Sequence, residues 1–123
     1  MSAVLLTLTA LDAHSPRHLE KAAALAQATG MQLRLAYCGS GHNVFDSPLA
    51  RLEQRARHLR RQFGLVVDTI EEAMTSLDVL RFHAQRCALL CLAAELPGPV
   101  PPDTHWLVRA LRLHTTPVQV MRT

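Results

Sequence analysis

The sequence predicts a three-layer α/β fold, doubly wound around a five-stranded parallel sheet. Three observations carry this. Five short apolar runs alternate with four longer segments of helical period. The helical segments carry start and stop signals: Ser15-Pro16 and Ser47-Pro48 open two of them, and Gly30 and Gly64 close the same two. The run at 88–93 is apolar throughout, as suits a strand covered on both faces. At 123 residues the chain is read as a single domain, 1–123.

The elements follow in order. Residues 3–11 mix Leu and Val with Thr and small residues and run into Asp12, which suits a central parallel strand. The first helix carries Leu19, Ala22, Ala23 and Ala26 as an apolar stripe. Met31, Leu33, Leu35 and Tyr37 share one face of a second strand ending at Cys38. Leu49, Leu52, Ala56, Leu59 and Phe63 form one face of the second helix. Residues 65–70 make a third strand. Thr75 or Ser76 caps a third helix with Leu77, Leu80 and Ala84 inside. After the strand at 88–93, the proline-rich stretch 97–102 continues neither strand nor helix interior. A fourth helix is expected from about Asp103, with Trp106, Leu107, Ala110 and Leu111, and a last strand at 117–121.

Composition narrows the function. Hydrophobic residues make up 49% and aromatics only 4%, so a nucleic-acid reader built on stacked rings is not expected. The net charge of +3 is almost all arginine, Lys21 being the only lysine. One cluster, Arg55, Arg57, Arg60 and Arg61, reads either as a solvated helix face or as an anion or partner site. Three scattered cysteines, Cys38, Cys87 and Cys91, fit buried thiols in a reducing compartment. The apolar run at 3–11 has no basic residue before it and is too short to span a bilayer. The expected address is cytoplasmic, with no membrane partner.

Several doubly wound families are excluded by chemistry. A phosphoacceptor receiver domain needs an acidic cluster after the first strand and a lysine after the last. Here Asp12 stands alone and the chain reads Met121-Arg122-Thr123. The turn Asp12-Ala13-His14-Ser15-Pro16 has no glycine for a flavodoxin-type phosphate loop, and no P-loop, Gly-x-Gly-x-x-Gly or Cys-x-x-Cys occurs.

The chain instead resembles the universal stress protein family. The likeness rests on the opening strand, Asp12 and the helix 15–26, on Thr29-Gly30-Met31-Gln32-Leu33-Arg34-Leu35, and on the ending Thr116-Pro117-Val118-Gln119-Val120-Met121-Arg122. The resemblance implies the adenine nucleotide alpha hydrolase-like strand order 3-2-1-4-5 and a homodimer through the last strand, with Val118 and Val120 at the seam. It also implies that ATP is held in many members, with Asp12 and Cys38 at the positions that hold adenosine. The phosphate loop departs from the family pattern. Residues 95–104 hold one glycine and four prolines, with Glu95 and Asp103. Proline removes the N–H donors a phosphate needs, and the carboxylates repel it.

Other constellations are weaker. His14 and His18 are four apart but straddle Pro16, and read as exposed histidines rather than metal ligands. Cys87 and Cys91, taken as one strand, would share a face about 13 Å apart, too far for a disulfide. His42 has no recognised nucleophile partner. The sequence therefore reads as a non-enzymatic, dimeric stress-response module acting on a protein partner, with no metal and no cofactor. An adenine-nucleotide-binding protein with an altered phosphate site is the alternative.

Overall fold

The computed structural model describes residues 3–11, 15–38, 47–74, 76–93 and 116–121. Within them run β1 (Val4–Thr9), α1 (Ser15–Thr29), β2 (Gln32–Tyr37), α2 (Pro48–Phe63), β3 (Val67–Thr69), α3 (Leu77–Ala84), β4 (Leu89–Ala93) and β5 (Val118–Met121). All four strand pairings are parallel, as the alternation of elements predicts, and the order is β3-β2-β1-β4-β5, as the family resemblance implies. The fourth helix expected from Asp103 falls outside the described residues.

Helix ends follow from local chemistry. Ser47 and Ser76 accept hydrogen bonds from the amides of Ala50 and Val79, capping α2 and α3. Gly30 and Gly64 take left-handed backbone, φ +70° and +66°, where a side chain is strained. At Gly30 the Met31 amide reaches back to the Ala26 carbonyl at 2.9 Å, and Gln27 Nε2 donates to the Phe63 carbonyl, tying the ends of α1 and α2 together.

The sheet is buried on both faces. One face packs Leu5, Leu33, Leu35, Tyr37, Val67 and Cys91 against α1 and α2 through Leu19, Ala22, Ala26, Leu52, Ala56 and Leu59. The other packs Leu6, Leu8, Ala36, Cys38, Leu90 and Leu92 against Ile70, Met74, Leu80 and Ala84. Alternate residues of β1 thus go to opposite cores, as a central parallel strand requires. Leu49, expected on the inner face of α2, is instead over a third exposed.

The two thiols expected on one face part company. Cys87 precedes β4, in the turn after α3, where its amide and thiol donate to Ala84 and His83 carbonyls. It packs with the second core, whereas Cys91 lies in the first. Strand alternation does not extend through a turn.

Both sheet edges are formed, and α2 covers one of them. Leu33 donates to the Val66 carbonyl, so in this parallel ladder the polar groups of Val67 face outward. Arg60 folds over them: Nε and Nη2 donate to the Val67 carbonyl at 2.9 and 2.6 Å, and Nη1 donates to Glu53 Oε1 at 2.9 Å. Thr69 Oγ1 donates to Glu53 Oε2 at 3.3 Å. At β5 the Leu90 amide donates to the Pro117 carbonyl, so Val118 and Val120 direct their backbone groups outward. Among the described residues no side chain caps those groups.

Arg60→Met keeps the stem and removes three donated bonds. It is expected to cost about 1–2 kcal/mol in urea unfolding, the ion pair itself contributing little because it is more than a third exposed. The hydrogen bond from Arg60 holds the Glu53 carboxyl below its usual 4.5. A lowered folded-state value gives stability that is present above pH 4.5 and lost as pH falls through the folded value. Glu53→Gln is expected to flatten that acid limb of the stability curve.

Candidate functional site

In an open α/β sheet the ligand crevice lies at the strand C-terminal ends, where the winding reverses. Here the reversal is at β1, between β2 and β4. The end of β1 is fixed by its own residues and by α2. Thr9 Oγ1 accepts from the Leu11 amide at 3.1 Å, and Leu11 adopts φ +58°, the left-handed region that a leucine occupies only at a cost of about 1–2 kcal/mol. Arg51 Nη2 donates to the Leu11 carbonyl at 3.0 Å, holding that conformation from α2. Asp12, the next residue, lies outside the described residues, as do His14, His42 and the stretch 94–115 with its prolines.

The end of β2 is closed by core. The Cys38 amide donates to the Thr9 carbonyl at 2.9 Å, and the Met74 amide donates to the Tyr37 carbonyl at 2.8 Å. The Cys38 side chain is fully buried beside Ile70, Met74 and Leu80, and burial pushes its thiol up to about 11. Cys38 therefore presents neither a thiolate nor an exposed surface there. Cys91 is buried on the opposite face, its Sγ against Met121 Sδ, and burial likewise raises its thiol to about 11.

Beneath the crevice lies a polar bridge between three elements. Thr7 Oγ1 donates to the Cys91 carbonyl at 2.8 Å and contacts His18 Nε2 at 2.7 Å. A carbonyl only accepts and a hydroxyl has one proton. That proton is spent on Cys91, so His18 Nε2 carries a hydrogen and donates it to Thr7. The network itself places this hydrogen on Nε2. His18 is 2% exposed, which corrects its reading as a surface histidine. The signal was in the sequence: 18, 22 and 26 recur every four residues, so the stripe of α1 already contained it.

A cleft of about 490 Å³ opens between the first turn of α2 and the end of β3, lined by Leu49, Ala50, Glu53, Thr69, Ile70 and Glu71. Its two carboxylates oppose an anionic ligand. Among the described residues no three His, Cys, Asp or Glu side chains gather in a metal-holding group, and no helix is long and apolar enough to cross a membrane.

Solved structures share this architecture over nearly the whole chain. UspA from Lactobacillus plantarum matches with a TM-score of 0.66 at 13% identity, covering 98% of this chain and 97% of its own. A universal stress protein from Archaeoglobus fulgidus matches at 0.64 and 12%, covering 98% of both chains. A universal stress protein in complex with cAMP matches at 0.62 and 16%, covering 99% and 98%. The fold of this chain is therefore the one these universal stress protein structures share. No protein-family model matches the sequence, and no curated protein does.

Val118 and Val120, the seam that the resemblance implies, lie on the edge strand β5. Val118 packs partly into the second core, and Val120 is 42% exposed. Of the two residues assigned to adenosine, Cys38 is core and Asp12 is not described.

Two results are expected. Thr7→Val preserves shape but strands the buried His18 N–H and removes one of the bonds to the Cys91 carbonyl, costing about 1–3 kcal/mol in denaturant unfolding. In native protein at pH 8, a thiol alkylating agent should modify half-buried Cys87 before Cys38 and Cys91, which are about one part in a thousand thiolate and react only on unfolding.

Proposed function

We propose that this chain is a non-enzymatic regulatory module of a cytoplasmic stress response, working as a homodimer through β5 and engaging a protein partner. The difference between the two sheet edges is the observation that carries this reading. Unpaired strand edges invite association, and proteins that avoid it block them. At β3 the Arg60 guanidinium occupies the outward Val67 carbonyl. At β5 the outward groups of Val118 and Val120 meet no such block among the described residues, and Val120 adds exposed apolar surface. A second copy of β5, related by a two-fold axis, would pair those groups in an isologous contact.

The second reading, an adenine-nucleotide-binding protein with an altered phosphate site, draws on two facts. A structurally similar protein was solved with cAMP. The backbone leading into Asp12 is held in a left-handed conformation, a feature that concentrates at functional sites. Against it stand the core role of Cys38 and the sequence of residues 95–104, which lacks the donors a phosphate cradle needs.

Light scattering at tens of micromolar is expected to give the mass of a dimer, and Val120→Glu the mass of a folded monomer whose melting, unlike the parent's, does not depend on concentration. A wild-type chain that stays monomeric contradicts the proposal. Calorimetric titration with magnesium-ATP, and separately with cAMP, is expected to give no saturable heat up to millimolar ligand. Micromolar binding of either would establish the second reading instead.

A further inference from the structure

The geometry points to a docking site for an acidic protein segment on the outer face of α2. The helix carries five arginines, and the fold sorts them. Arg60 is turned inward onto β3, and Arg51 reaches the end of β1. Arg57 and Arg61 remain on the exposed face with Gln54 and His58, and Arg55 lies half-buried on its flank. Among the described residues no carboxylate makes an ion pair with Arg55, Arg57 or Arg61. Glu53 feels the field of Arg57, but its oxygens are already committed to Arg60 and Thr69.

This arrangement is not needed by the fold. The apolar face of α2 is complete in Leu52, Ala56 and Leu59, and the helix is closed by Gly64. Arg61 in the last turn favours the helix dipole, yet that accounts for one charge of the set. Arg57 and Arg61 are four residues apart, one helical turn, which separates their stems by about 6 Å along the axis. Carboxylates one turn apart on a partner helix have the same spacing, and the guanidinium fork binds a carboxylate bidentately. Arginine clusters of this size serve acidic motifs in many complexes.

The stripe is too short for the other polyanions. Nucleic acid gains its affinity from many neutralised phosphates, and two or three arginines give little. No aromatic side chain is exposed on α2 to stack on a base. Toward the helix start the surface turns acidic at Glu53 and Glu71. A lipid surface would meet those carboxylates as well. The site is independent of the β5 reading, because α2 packs beside β2 and β3, at the opposite end of the sheet from β5.

The test is fluorescence anisotropy with labelled poly-L-glutamate as the acidic probe, at about 50 mM salt and again at about 500 mM. The full chain is expected to bind at low salt and release the probe at high salt. Arg57→Glu with Arg61→Glu should weaken binding about tenfold or more, while melting as the parent does. Should that pair not fold, Arg57→Gln with Arg61→Gln carries the same readout. Val120→Glu should leave binding in place, so failure of the β5 reading and failure of this site are told apart. Absence of binding, or binding unchanged in the α2 variants, would overturn the proposal. So would tighter binding to a DNA duplex or to phosphatidylserine vesicles than to polyglutamate.

Discussion

An open parallel sheet has two ends, and each leaves a row of backbone donors and acceptors without a partner strand. Everything distinctive in this molecule is arranged around that constraint. The interior strands are satisfied on both sides by their neighbours and on both faces by aliphatic cores. At β3 the problem is met in part inside the chain: the strand is three residues long, Arg60 of α2 occupies its Val67 carbonyl, and Glu53 accepts from the Thr69 hydroxyl. At β5 four residues pair with β4 alone, and Thr116 anchors their approach by donating to the Ala84 carbonyl at 2.8 Å. A strand positioned that firmly, with no neighbour on its outer side among the described residues, is suited to pairing with another chain.

The centre of the sheet is built for fixity. Thr7 joins α1, β1 and β4 through one hydroxyl, Arg51 joins α2 to the end of β1, and the Ile70 and Met74 amides close over β2. Buried polar groups are costly unless fully paired, and paired ones restrict the core to one arrangement. The cysteines within this region are held as neutral thiols. The described interior therefore supplies a rigid frame, and the variable chemistry lies at its surfaces: the open edge of β5 and the arginine face of α2.

Much of this frame was legible in the sequence because it rests on local periodicity. Ser-Pro starts, glycine stops and the alternation of apolar runs fixed the order of elements, and the helix stripes named the core residues of α1 and α2. What escaped was what depends on contacts between distant segments. His18 looked polar and was read as exposed, because its partner Thr7 lies eleven residues away on another element. Arg60 was indistinguishable from its neighbours in the cluster until β3 was placed beneath it. Cys87 was assigned to a strand because apolar character alone does not mark where a turn ends and a strand begins. The resemblance places adenosine at the strand end that Cys38 closes, and the burial of its side chain with Ile70 and Met74 is a property of the folded chain.

The central claim is that the outward groups of β5 are paired by a second copy of the chain. Amide hydrogen exchange at Val120, followed as a function of protein concentration, tests it most directly. Among the described residues that N–H has no partner, because the parallel register with β4 turns it outward. The account predicts that its exchange slows by about tenfold or more as concentration passes through the association range, with Val118 following. Fast exchange at Val120 that is the same at every concentration would contradict it.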